Sequence, residues 1–123
     1  ATDDARLAPI KEAYYQLDSV TGHAWDEMKH WLRTYTARLR AEGRDDNVRR
    51  AAMNRVNPHF VLRNYIAQEA IDAAEQGDTT ILEELLTVMK QPYDVPDSAK
   101  RWVKKRPEWA RNRPGCSMLS CSS

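Results

Sequence analysis

The sequence predicts an all-α protein: a single bundle of about five amphipathic helices followed by an irregular, basic C-terminal arm containing Trp and Pro. Three observations carry this. Apolar residues recur at three- and four-residue steps up to Met89, the period of a helix face. Gly, Pro, Asn and Asp fall between these runs, where helices start and stop. No stretch alternates apolar and polar residues for long enough to make a strand.

Leu7, Ile10, Tyr14 and Leu17 mark the first helix, with Asp3 and Asp4 placing negative charge at its positive end. Thr21-Gly22 interrupts the pattern and supplies a short antiparallel connection. Trp25, Met28, Leu32, Tyr35 and Leu39 repeat the rhythm in a second helix. Gly43 ends it, with Arg38, Arg40 and Arg44 around its negative end, and Asp45-Asp46 cap a short third helix. Asn57-Pro58 reads as an N-cap and first-turn pair opening the fourth, because proline needs no donor there. Val61, Leu62, Tyr65, Ile66, Ala70, Ile71 and Ala74 are its expected buried face, and Gly77 stops it. Asp78 caps the fifth helix, whose stripe is Ile81, Leu82, Leu85, Leu86 and Met89, closed by Pro92.

Beyond Tyr93 the texture changes. Pro96, Pro107 and Pro114 divide Trp102, Trp109 and seven basic residues into short irregular or briefly helical pieces. The expected organisation is therefore a helical bundle over 1–92, a basic arm over 93–115 that needs another surface to lie on, and a flexible Cys/Ser-rich tail over 116–123. No internal repeat occurs, which argues against a solenoid.

At 123 residues and 41% hydrophobic content, the chain can build one modest core. No apolar run is long enough to span a membrane, and Ala1-Thr2-Asp3-Asp4 is too polar for a signal peptide. The Ala start fits removal of an initiator or a piece of a longer chain. The net charge of +1 hides segregation. Residues 64–99 hold eight acids against one lysine, and residues 100–123 hold seven bases against one acid. Fields add over such blocks and decay within roughly 8 Å at physiological salt, so the acidic stretch can dock the basic arm.

Few motifs carry chemistry. His23 and His30 are seven apart on one helix face with Asp26 and Glu27 between them, but no His-Glu-x-x-His or Cys-x-x-Cys accompanies them, and solvated or capping histidines are the plainer reading. Between Lys100 and Arg113 the arm interleaves tryptophans with cations. Single-strand nucleic-acid binders do this, and so do arms whose tryptophans anchor them while their cations stay wet or pair with acids. There is no Gly-rich phosphate loop, nucleophile elbow or Asp-Phe-Gly, and no catalytic constellation gathers.

The only cysteines, Cys116 and Cys121, lie in the last eight residues, where no ordinary core is expected to enclose them. That placement points to chemistry rather than packing. A bond between them would close a short loop and stabilise little. Thiol exchange with a partner fits better than that bond, with Arg111 and Arg113 favouring the thiolate to the small extent that screening leaves; an idle terminal thiol is the alternative.

Met53-Asn54-Arg55-Val56-Asn57-Pro58, continuing through Val61-Leu62-Arg63-Asn64-Tyr65 and Ala67-Gln68, resembles a signature near the C-terminus of the selenoprotein O (YdiU) family. Ala74-Glu75-Gln76-Gly77-Asp78, Pro92-Tyr93, Pro107-Glu108-Trp109-Ala110 and the terminal Cys121-Ser122-Ser123 match the same closing stretch in order. The resemblance covers 45–123. It implies a kinase-like parent protein that transfers AMP from ATP, with Mg or Mn, to Ser, Thr or Tyr hydroxyls of protein substrates. The catalytic residues would lie in a kinase-like region outside this chain, which would be a non-catalytic helical fragment. Cys121 takes the position of a redox residue that forms a disulfide with the kinase-like portion. Met118 stands where some members have a second cysteine, so Cys116 reproduces no Cys-x-x-Cys pair. Asn57, Pro58, Arg63 and Asn64 are signature residues of unassigned role, Arg63 and Asn64 being the polar pair that helix capping and packing leave unexplained. A bacterial member would be cytoplasmic and a eukaryotic one mitochondrial. The alternative, from the residues alone, is a small helical adaptor or nucleic-acid-binding protein using the Trp-containing arm.

Overall fold

A computed structural model describes residues 2–117. It is all-helical: five α-helices, α1 (Asp3–Lys11), α2 (Gly22–Glu42), α3 (Asp46–Val56), α4 (Asn64–Glu75) and α5 (Thr80–Lys90), with 3₁₀ segments at Leu17–Ser19, Asp97–Trp102 and Glu108–Ala110. The expected all-α fold is what the chain adopts, and its contacts divide into two compact units, Ala1–Arg49 and Arg50–Ser123. No helix among the described residues is long and apolar enough to cross a membrane.

In the first unit, local chemistry sets the helix ends. Thr2 Oγ1 accepts from the Ala5 N–H at 3.2 Å, and Thr21 Oγ1 from the Ala24 N–H at 3.2 Å, each satisfying a donor the helix itself cannot. Asp45 Oδ1 accepts from Asn47 and Val48 N–H to start α3. Gly43, at φ +62°, ends α2 in the left-handed region. The first helix is shorter than its apolar rhythm suggests: α1 stops at Lys11, and Leu17 sits in a separate 3₁₀ turn, exposed. Pro9 lies inside α1 and has no N–H for the Ala5 carbonyl, which weakens the final turns. Leu7 is fully buried, while Trp25, Met28, Leu32, Tyr35 and Leu39 are half-buried along α2 as their spacing predicts. The Arg33 Nε donates to Asp3 Oδ2 at 3.0 Å, tying α2 to the start of α1, and Tyr14 meets Trp25 edge-on at 5.4 Å.

The second unit departs from expectation at two helices. Asn57-Pro58 does not open α4. The Asn57 side chain turns back and donates to the Met53 carbonyl at 3.0 Å, and its N–H donates there at 2.9 Å, so it finishes α3. A residue before proline is pushed toward extended backbone, and residues 57–63 run non-helically until α4 starts at Asn64. On α4 only Tyr65, Ile66 and Ala70 are buried; Val61, Leu62, Ile71 and Ala74 are exposed. On α5 the buried pair is Leu85 and Val88, while Leu82, Leu86 and Met89 face outward. The aliphatic stripe of α5 is broad, opposite a polar face of Thr80, Glu83, Glu84, Thr87 and Lys90, so one edge of it enters the core and the other is left over.

Residues expected to form an arm on the surface instead complete the core. Val95, Ala99, Trp102, Ala110 and Cys116 share one buried cluster with Phe60, Tyr65, Ile66, Ala70, Leu85 and Val88. Small residues at Ala99 and Ala110 let the two 3₁₀ segments approach closely. Between α4 and α5, Gly77 at φ +84° bridges the helices, with the Asp78 N–H bonded back to Ala73 and the Gly77 N–H to Ala74, a Schellman closure. Asp78 Oδ1 then accepts from Thr80 N–H at 2.9 Å.

An added Cβ at Gly77 meets nothing within 4 Å, so its cost is backbone strain alone. Gly77→Ala is expected to lower unfolding stability by about 1–2 kcal/mol in urea denaturation. Unchanged stability would show that the turn does not hold its left-handed conformation.

Candidate functional site

Three features of the second unit concentrate its unusual chemistry: the connector 57–63, the charged latch between arm and helices, and an apolar groove on α4 and α5.

The connector carries most of the signature residues. His59 and Phe60 N–H groups both donate to the Pro92 carbonyl, at 2.8 and 3.1 Å, and the Phe60 ring is buried in the core cluster. One aromatic plug therefore fixes a segment with no helical hydrogen bonds of its own. Its neighbours Asn57, Pro58, Val61 and Arg63, with Asn64, are exposed. Arg63 occupies the N-cap position of α4 in extended backbone but makes no side-chain capping bond, and Asn64 is the first helical residue. The structure thus displays this polar pair on the surface.

The latch consumes the charge segregation. Arg113 donates from both terminal nitrogens to the two Asp72 oxygens at 2.7 Å each, the fork geometry that suits a carboxylate. Gln68 Nε2 adds a bond to Asp72 at 2.9 Å. Arg113 and then Gln68 hold the Asp72 carboxyl below its usual range. Arg101 pairs with Glu84 and lowers that carboxyl likewise, and Lys104 lies 4.0 Å from Glu69. The Tyr65 hydroxyl donates to the Lys104 carbonyl at 3.1 Å. The interleaved aromatics belong to the same latch: Trp102 is 4% exposed with Arg101 above its ring at 4.4 Å, and Trp109 meets Tyr65 edge-on at 6.5 Å with Arg113 at 5.5 Å. The acidic stretch does dock the basic arm, and Trp102 is an anchor with its face already occupied.

Cys116 is a free thiol, 8% exposed, inside the core cluster. The expectation that no core could enclose it fails because residues 93–116 are themselves core-forming. Cys121 lies outside the described residues. His23 and His30 are on α2, where Asp26 pairs with Lys29 instead. Among the described residues no three His, Cys, Asp or Glu side chains gather as a metal cluster. These donors do not fit a nucleotide-bound Mg or Mn.

The groove was not foreseen. Leu62, Ala67, Ala70, Ile71, Ala74, Leu82, Leu85, Leu86 and Met89 line a furrow of about 370 Å³ without a polar group. The signal was present in the breadth of the aliphatic stripe on α5, which is wider than the core contact of Leu85 and Val88 uses.

A family model for protein adenylyltransferase SelO matches residues 3–90. The chain belongs to this family. It is 53% identical over 117 residues to a protein nucleotidyltransferase YdiU of Aromatoleum aromaticum, covering 95% of this chain and 22% of that protein. It is 49% identical over 122 residues to a protein nucleotidyltransferase YdiU of Rhodopirellula baltica, covering 97% and 23% respectively. The likeness therefore extends over α1 and α2, beyond the 45–123 stretch that the motifs marked. The chain spans about a fifth of the length of these curated relatives.

Phe60→Ala is expected to cost about 3 kcal/mol or more in urea unfolding. Val61→Ala, at a side chain 60% exposed, should cost less than about 0.5 kcal/mol. Equal effects would remove the plug from this account. For the latch, Asp72 has a lowered folded-state pKa, so its contribution is present above the unfolded value and is lost as pH falls through the folded one. Wild-type stability should therefore fall more steeply than that of Asp72→Asn as pH drops below 4, roughly the unfolded carboxylate value. Parallel acid profiles would contradict the pairing.

Proposed function

We propose that this chain is the C-terminal helical segment of a SelO-like protein AMP transferase. It is non-catalytic alone, and its Cys121 tail regulates or secures the catalytic body. The observation that carries this is near-complete coverage of the chain at about half identity by proteins named nucleotidyltransferases, of which it spans only about a fifth. The order of the closing motifs supports the C-terminal placement. On this reading the parent binds ATP with Mg or Mn through residues elsewhere, and its partners are the kinase-like region of the same chain and the hydroxyl-bearing protein substrates.

The core position of Cys116 supports a division of labour between the two thiols. Cys116 is an anchored packing residue, and Cys121 is the reactive one. Five residues of extended chain reach roughly 17 Å, so the partner cysteine must lie within about 17 Å of Cys116 plus the 6 Å or so between bridged Cα atoms. Oxidation joins the two sulfurs, with both protons and two electrons passing to an external oxidant.

Incubated with ATP, Mg or Mn and a hydroxyl-bearing protein acceptor, the full-length parent should add AMP, seen as a mass gain on the acceptor. The 123-residue chain should not. Non-reducing mass spectrometry of the parent should find Cys121 linked to an upstream cysteine and Cys116 as a free thiol. A parent that transfers no AMP, or an encoding frame without a kinase-like region, would sink the transferase reading. A Cys121 that stays reduced under oxidant would sink the tail's role.

A further inference from the structure

The groove on α4 and α5 has a shape and chemistry that the latch and connector do not use. Ile71, Leu82, Leu86 and Met89 are each about half exposed, at 49, 52, 52 and 46%. Single exposed leucines are ordinary, but a contiguous apolar furrow marks a binding surface. Its lining recurs on α5 at 82, 85, 86 and 89 and on α4 at 67, 70, 71 and 74. Two parallel stripes of helical period with a furrow between them receive the apolar face of a third helix, whose own side chains repeat at three and four residues.

We infer that this groove is the docking site for an amphipathic helix supplied by the part of the parent polypeptide outside these 123 residues. This rests on the reading of the chain as a segment of a longer protein. The relatives, about half identical over nearly the whole chain, are more than four times its length. A segment tethered in the same polypeptide meets the groove at an effective concentration near millimolar, far above that of a free partner. A second copy meets the groove only at its free concentration in solution, without the advantage of a tether. A small polar ligand is equally unsuited, because the lining offers no group to orient it. Residues 64–99 also keep acidic groups after the latch forms, since among the described residues Glu75 and Glu83 make no salt bridge to the arm. The docked helix should carry Lys or Arg beside its apolar face.

Leu86→Cys and Leu82→Cys, introduced separately into the full-length parent, place thiols in the groove one helical turn apart at half-exposed positions that tolerate truncation. Maleimide labelling at each site is followed by peptide mass spectrometry, in native buffer and in urea, with light scattering to establish a monomer. Both thiols are expected to label at least tenfold more slowly in the native monomer than in urea. Rates within twofold of each other at both sites would overturn the inference. So would protection that disappears on dilution, since that would assign the groove to a second copy. AMP transfer measured on the same preparations separates the two readings. Protected thiols without transfer would sink the enzymatic reading alone, and transfer with reactive thiols would sink the groove inference alone.

Discussion

Two helices of twelve and eleven residues cannot enclose a core by themselves, and isolated helices of that length are marginal in water. The second unit depends on residues 93–116 closing over them. Trp102 is the centre of that closure: its ring is buried, Arg101 lies across its face, and Arg101 in turn reaches Glu84 on α5. Hydrophobic burial supplies the gross attraction, while the latch supplies direction. An exposed ion pair contributes little on its own. Several pairs between one acidic stretch and one basic stretch favour docking in any alignment, so the register is set by geometry: the two-pronged bond of Arg113 to Asp72 and the burial of Trp102 in the core cluster.

That dependence explains which features were legible in the sequence. Helix ends at Gly43, Asp45 and Gly77 were readable because each needs only a few neighbouring residues, and short-range donors and φ preferences decide the outcome. The Asn57-Pro58 pair was ambiguous for a physical reason. Asn can bond forward into a new helix or back into the previous one, and here Met53 offered the nearer carbonyl. The core role of Ala99, Ala110 and Cys116 was invisible locally. These are small side chains in a stretch dense with Pro and charge, and only the surfaces of α4 and α5 make them interior. The α5 stripe is only partly buried because a broad apolar stripe does not reveal which of its edges the neighbours will cover.

The candidate site shows the same division. The docking of opposite charge blocks was readable, since block charge is a property of the sequence itself. The groove was not, because it arises from what the core leaves uncovered. Interleaved Trp and basic residues admit two readings until the fold shows where the rings go. Trp102 is buried and Arg113 is committed to both oxygens of Asp72, while Trp109 stays 44% exposed. Arg101, Lys104 and Arg113 position the arm on α4 and α5.

The latch also fixes the origin of the tail. Cys116 is held by burial, by its N–H bonded to the Arg113 carbonyl at 3.1 Å, and through Arg113 by the clamp on Asp72. The Ser117 hydroxyl is bonded by Arg106 at 2.8 Å. A tethered thiol is useful to a redox contact only if its search volume is small, because effective concentration falls steeply as the tether lengthens. Anchoring at Cys116 and Ser117 leaves four to five residues of tether to Cys121. In the proposed parent, a burial-driven anchor therefore does for the tail what a second cysteine could not: it limits where the reactive sulfur can go without competing for the disulfide.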